Sequence, residues 1–106
     1  MKNPNLLQIK TINATWYDKD TVMLHACFQL LTDFIEQENP FETIDWEHTE
    51  EKKVVKKEID FLYDWWKDLL LKNENDEWNS MHNNVQYKEE NEMLIRLIKI
   101  RDHLWV

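Results

Sequence analysis

Two residues near the C-terminal end of the sequence, Arg96 and His103, are of types that together can act on a phosphodiester. An arginine stabilises the charge that develops on a phosphate during cleavage, and a histidine acts as general acid or base. Six residues separate them, and this spacing also arises by chance in any amphipathic helix. The pair therefore defines a ribonuclease hypothesis, to be weighed against a structural role for both residues.

The other chemistry-bearing residues form no metal or cofactor motif. Glu47 and His48 are adjacent, and the other histidines stand alone without the paired spacing of a zinc site. Cys27 is the only cysteine, which excludes an internal disulfide. The chain contains no glycine, whereas Walker-type and dinucleotide-binding sites hold phosphates in glycine-rich loops. We therefore expect no metal site, no cofactor and no enzymatic activity.

Acidic residues dominate the charge, and they are clustered. The net charge is −8, and residues 73–92 carry six acids against one lysine. This balance argues against non-specific binding to nucleic acid or to an anionic membrane. Such clusters are commonly solvated loops, but they can also imitate nucleic-acid phosphate and occupy a basic groove on a partner. The predicted contact carboxylates are Glu74, Asp76, Glu77, Glu89 and Glu90.

Six tryptophans in 106 residues are a second unusual feature. Trp65 and Trp66 are adjacent, so in a helix their side chains point about 100° apart. Either both fill seams of the core, or one of them anchors a protein interface together with Trp78 or Trp46. Our predicted contact set therefore includes Trp65, Trp66 and Trp78 alongside the carboxylates.

Four lysines form a basic cluster at helical spacing: Lys52, Lys53, Lys56 and Lys57. Neighbouring acids such as Glu50 and Asp60 can pair with them, which is the ordinary role of such a cluster. The alternative is a contact with RNA or phosphate, aided by Arg96, Lys99 and Arg101.

Helical periodicity predicts three main helices that position these residues. They run from Thr21 to about Glu38, from Glu50 to about Lys72 and from Tyr87 to about Leu104. Proline disfavours helix at the residue before it, so Asn39-Pro40 ends the first helix. Thr49 is the predicted N-cap of the second.

The remaining segments are predicted to be irregular. Residues 1–15 give a weak pattern, and residues 73–86 are polar and rich in asparagine, as loops are. The expected fold is all-α: a compact bundle of three main helices with an irregular N-terminal segment and an Asn/Glu-rich loop, forming one domain over residues 1–106. The apolar runs are far shorter than the roughly 20 residues of a membrane span, and no signal sequence is visible. We expect a cytoplasmic protein.

Five short blocks of sequence carry a resemblance to a known group of proteins. They are Trp16-Tyr17-Asp18-x-Asp20-Thr21, Leu24-His25, Ile44-Asp45-Trp46, Leu62-Tyr63-x-Trp65-Trp66 and the segment Glu92 to Trp105. The chain thereby resembles small proteins of tailed bacteriophages. The resemblance implies a phage origin and action in the host cell. It implies no particular activity and no catalytic residues.

Three hypotheses follow for the function. The first is a non-catalytic phage protein that binds and inhibits a basic host protein of nucleic-acid or defence machinery, such as an anti-CRISPR protein. The second is a structural or accessory phage protein that forms homo-oligomers. The third is a ribonuclease, because Arg96 and His103 resemble the arginine–histidine pattern of helical HEPN ribonucleases.

Overall fold

The structure is a computed structural model that describes residues 7–12, 17–74 and 84–105. This part of the chain contains helices and no strand, which confirms the predicted all-α class. Its elements are α1 (Lys19–Glu38), α2 (Pro40–Thr43), α3 (Glu50–Glu74), α4 (Asn84–Lys99) and a 3-10 turn (Arg101–His103). The three long helices α1, α3 and α4 each contact the other two, so the predicted three-helix bundle is also confirmed.

The boundary after α1 lies where the sequence predicts it. Asn39 takes a left-handed conformation with φ of 50°, which asparagine tolerates better than most residues. Pro40 then occupies the first position of α2, where its missing N–H has no cost. The segment between α1 and α3 therefore contains one short helix. It also places Trp46 in the core, where its Nε1 donates to the Pro40 carbonyl at 2.9 Å.

The start of α3 is also as predicted. The hydroxyl of Thr49 accepts a hydrogen bond from the backbone N–H of Lys52 at 3.0 Å, which satisfies one of the free donors of the first turn. The helix continues to Glu74, two residues beyond the predicted end.

The bounds predicted for the last helix are wrong at both ends. α4 begins at Asn84, three residues early, so the predicted loop 73–86 is helical at its two margins. Residues 75–83 lie outside the described residues. At the other end α4 stops at Lys99, because the chain tightens into a 3-10 turn. In that turn His103 donates its backbone N–H to the Ile100 carbonyl at 2.9 Å.

The core lies between the three long helices. Trp66 is at its centre, with its ring stacked on Phe28 at 4.9 Å. Full burial of a side chain of this kind contributes about 2 kcal/mol relative to leaving it in water. The buried apolar residues are Leu24, Phe28, Leu31, Phe34, Trp46, Val55, Ile59, Leu62, Trp66, Leu69, Met93, Leu97 and Ile100.

Three polar contacts fix the alignment of α3 against α4 and the turn that follows it. They occur at intervals of seven residues along both segments, the spacing that recurs in packed helix pairs. The pairs are Glu51 with His103, Glu58 with Arg96, and Trp65 with Glu89. Because residue numbers rise along α3 while they fall along α4, the two helices are antiparallel. We call these three contacts the seam pairs.

Candidate protein-binding surface

Trp65 and Glu89, two residues of the predicted contact set, lie together on the seam between α3 and α4. The indole Nε1 of Trp65 donates to Oε1 of Glu89 at 2.7 Å. The Trp65 ring is half-buried, and its centre lies 5.3 Å from that of Phe28. A hydrogen bond to a carboxylate is stronger than one between neutral groups. It therefore holds Glu89 and one edge of Trp65 in a fixed orientation at the surface.

Trp66 is not part of this surface. Its side chain is 1% exposed, and it lies between the stacked ring of Phe28 and the edge of His25, whose centre is 4.9 Å away. A partner could reach Trp66 only by unpacking the core, so its prediction as a contact residue is wrong. The alternative considered for the adjacent tryptophans, that they fill seams of the bundle, is what the structure shows for Trp66.

Several carboxylates lie near the first turns of α1 and α4. The hydroxyl of Tyr87 donates to Asp20 at 2.5 Å, which raises the pKa of Tyr87 to about 12 and brings the first turns of the two helices together. Glu90, one residue after Glu89, accepts a hydrogen bond from the Gln86 amide at 3.2 Å. An exposed carboxylate, Glu92, follows on α4. We call Asp20, Glu89, Glu90 and Glu92 the acidic end.

The rest of the predicted contact set lies outside the described residues. This applies to Asp76, Glu77 and Trp78, and to the side chain of Glu74, whose backbone ends α3. The segment from 75 to 83 joins the end of α3 to the start of α4.

The lysine cluster is largely paired with its own neighbours. Lys53 lies 3.1 Å from Glu50, and Lys56 lies 3.2 Å from Asp60. Lys52 lies over the ring of Trp46 at 5.2 Å. Exposed pairs of this kind contribute little stability, commonly under about 1 kcal/mol, but they reduce the positive potential around the lysines. Lys57 makes no ion pair with any residue that the structure describes.

Lys53 also lies 4.0 Å from Glu47, and both residues line a surface depression. The depression has a volume of about 310 Å³. Its lining residues are Glu47, Glu50, Lys53, Val54, Lys56 and Lys57. Its mixture of carboxylates and ammonium groups favours the ordinary role of the cluster, which is pairing within the chain.

Arg96 and His103, the residues of the ribonuclease hypothesis, each contact a carboxylate of α3. Arg96 donates to Glu58 twice, at 2.8 Å from Nε and 2.5 Å from Nη2. This pairing lowers the pKa of Glu58 and raises that of Arg96. His103 Nε2 lies 3.4 Å from Oε1 of Glu51. Sequence analysis missed both partners, since neither Glu51 nor Glu58 carries a motif that would link it to α4.

His25, on α1, is one of two buried polar residues in the described part of the chain. It is 8% exposed, and its Nδ1 lies 2.6 Å from the hydroxyl of Thr11. Burial lowers the pKa of His25, because the interior penalises the charged ring. One turn further along α1, the Gln29 side chain accepts a hydrogen bond from the Lys10 backbone at 3.0 Å. The contacts of His25 and Gln29 attach residues 7–12 to the bundle.

The described part of the chain contains no group of three or more His, Cys, Asp or Glu side chains that could hold a metal ion. None of its helices combines the length and apolar character needed to cross a membrane.

Comparison of the chain with protein-family models, with curated proteins and with solved structures finds no significant match.

Proposed function

We propose that this chain is a non-catalytic protein-binding module that acts through its acidic end. The observation that carries the proposal is the hydrogen bond between Trp65 and Glu89. It joins a half-buried tryptophan to a carboxylate in the region where Asp20 and Glu90 also lie. Tryptophan is among the residues most enriched at binding hot spots, and clustered carboxylates speed the encounter with a basic surface.

The partner that fits such a surface is a basic protein that normally binds nucleic acid. Carboxylates spaced along α4 would take the place of phosphates in its groove, and the acids of residues 74–77 would extend the same charge. The phage resemblance makes a host enzyme or defence complex the natural target. Most specifically, we propose that the chain is an inhibitor of the anti-CRISPR type.

The experiment is a pull-down of tagged protein from host lysate at low and high salt. We expect capture of a basic nucleic-acid-binding protein, with release at high salt because exposed charges are screened. Added DNA should compete for the captured protein. Capture that is insensitive to both salt and DNA would contradict the proposal.

Paired variants locate the binding surface. Glu89→Gln with Glu90→Gln removes two charges and leaves an oxygen on residue 89 to accept from Trp65. Glu38→Gln with Glu42→Gln, on α1 and α2, removes the same charge elsewhere on the exposed or half-exposed surface. We expect the first pair to weaken binding and the second to leave it intact. Equal loss of binding in both double variants would show that only the net charge matters. Unchanged binding in the Glu89 and Glu90 variant would exclude the acidic end as the binding surface.

The ribonuclease alternative has less support. A catalytic Arg96 would have to exchange its two hydrogen bonds with Glu58 for a phosphate. An assay for RNA cleavage, with His103→Ala as the matched variant, tests this hypothesis directly. Cleavage that disappears in the variant would favour it over the binding module.

A further inference from the structure

A line of six exposed residues follows the face of α3 opposite the core. Their spacing alternates between three and four residues, so they remain on one side of the helix along most of its length. The apolar members are well exposed: Val54 by 65%, Phe61 by 44% and Leu71 by 57%. We call the set the outward stripe, and it comprises Val54, Lys57, Phe61, Asp64, Asp68 and Leu71.

At its four outer positions, the stripe read in one direction is complementary to the stripe read in the other. Two apolar residues occupy its ends, a lysine lies towards one end, and two aspartates lie towards the other. When a second α3 is placed antiparallel on the first, Val54 faces Leu71 of the second copy. Lys57 then faces Asp68 of the second copy, and Phe61 faces Asp64. A twofold axis repeats each contact, as in an isologous dimer.

We propose that the outward stripe binds a second copy of this chain, forming an antiparallel pair of α3 helices. This surface is separate from the acidic end, and the inference does not depend on the proposed function. Opposite charges at facing positions of a helix pair set both the partner and the direction of pairing. Exposed apolar side chains at the ends and centre of the stripe supply the area that is removed from water.

Contacts within each chain are compatible with this arrangement. Lys57 makes no ion pair with any residue that the structure describes, so its ammonium group is available. Asp68 lies 3.3 Å from Lys72 through one oxygen, Oδ2, and 63% of its side chain remains exposed. The guanidinium of Arg96 lies 4.1 Å from the centre of the Phe61 ring. This adds a cation close to the position that Asp64 of the second copy would occupy.

The test is the solution mass of the whole chain, measured by analytical ultracentrifugation between about 1 μM and about 1 mM. We expect a concentration-dependent dimer that weakens as salt rises. Lys57→Glu and Asp68→Lys should each weaken the dimer roughly tenfold, because each change places like charges at two symmetry-related positions. The double variant Lys57→Glu/Asp68→Lys should restore dimerisation, since the charges are then exchanged. Lys88→Glu, an exposed residue on α4, is the matched control.

Circular dichroism melting shows whether each variant is folded. A monomer throughout the concentration range would overturn the inference. So would a dimer that both single variants leave unchanged, or one that the double variant fails to restore. Any of these results would leave the pull-down with the Glu89 and Glu90 variants as an independent test of the acidic end.

Discussion

Arg96 on α4 binds Glu58 on α3 through two hydrogen bonds, while its guanidinium lies against the ring of Phe61. The two donors match the two carboxylate oxygens, a geometry that lysine cannot reproduce. The pair is partly shielded, with 39% of the Arg96 side chain and 22% of the Glu58 side chain exposed. This contact connects helices that are far apart in sequence, and we regard it as structural.

Replacing Arg96 with lysine should lower the free energy of unfolding by about 1 kcal/mol. The charge remains, but the paired hydrogen bonds and the stacking on Phe61 are lost. Urea denaturation measures the difference. Lys88→Gln, at an exposed site on α4, serves as the control and should change stability by less than about 0.5 kcal/mol. Equal stability of Arg96→Lys and the parent would contradict a structural role for the paired geometry.

The same contact predicts a pH dependence. Hydrogen bonding to Arg96 holds the pKa of Glu58 below its usual 4.5, so the folded state binds this proton less readily than the unfolded state. The stability from this contact is therefore fully present above pH 4.5 and is lost as the pH falls through the folded-state pKa.

The comparison that isolates this effect is the chain with and without the arginine. We expect the difference in unfolding free energy between the parent and Arg96→Met to shrink as the pH is lowered from about 7 to about 3. Glu36, whose pKa is also lowered, contributes equally to both proteins and cancels. A difference that is constant with pH would contradict the assignment.

Truncation to alanine should reduce stability strongly at Trp66 and only slightly at Trp105. Trp66 is 1% exposed in the core, and Trp66→Ala should cost about 3–5 kcal/mol, enough to unfold a marginally stable domain. Trp105 is 66% exposed, and Trp105→Ala should change stability by less than about 1 kcal/mol. Thermal melts of both variants test this contrast, and a well-folded Trp66→Ala protein would contradict the packing described.

Two tyrosines should ionise well above the usual range. Tyr63 donates to Glu36 and Tyr87 donates to Asp20, and these hydrogen bonds raise the pKa of each phenol to about 12. Spectrophotometric titration of the Asp20→Asn variant should show one tyrosine shifted back towards the usual 10.0, because the facing charge is gone. Glu36→Gln should do the same for Tyr63. Unchanged titration curves in both variants would exclude the two contacts.

Local signals in the sequence were sufficient to predict the fold class and several helix ends. Asn39-Pro40 ends α1 and Thr49 caps α3, because each depends on a few neighbouring residues. The helical spacing also indicates that Trp66 is buried, although Trp66 was placed in the predicted contact set. It continues the spacing of the core residues Ile59, Leu62 and Leu69, whereas Trp65 lies beside that stripe.

Contacts between distant segments could not be predicted from the sequence. Glu58 and Arg96 are 38 positions apart, and neither carries a signal for the other until the alignment of α3 and α4 is known. Trp46 is buried with its Nε1 bonded to the Pro40 carbonyl at the start of α2, a short helix that the sequence analysis did not predict. The pairing of Trp65 with Glu89 also depends on the alignment of α3 and α4. Glu89 and Glu90 of the acidic end were in the predicted contact set, whereas Asp20 was not, because its position beside α4 depends on tertiary structure.

The seam pairs have a consequence for how this sequence can vary. A slip of α4 along α3 by one helical turn would break all three contacts at once, so the two helices have a single preferred alignment. That alignment is set by the helices themselves and does not depend on the length of the segment that connects them. Loop length has only a weak effect on the free energy of folding. We therefore expect changes in the length or sequence of the connection between Glu74 and Asn84 to leave the alignment of α3 and α4 unchanged.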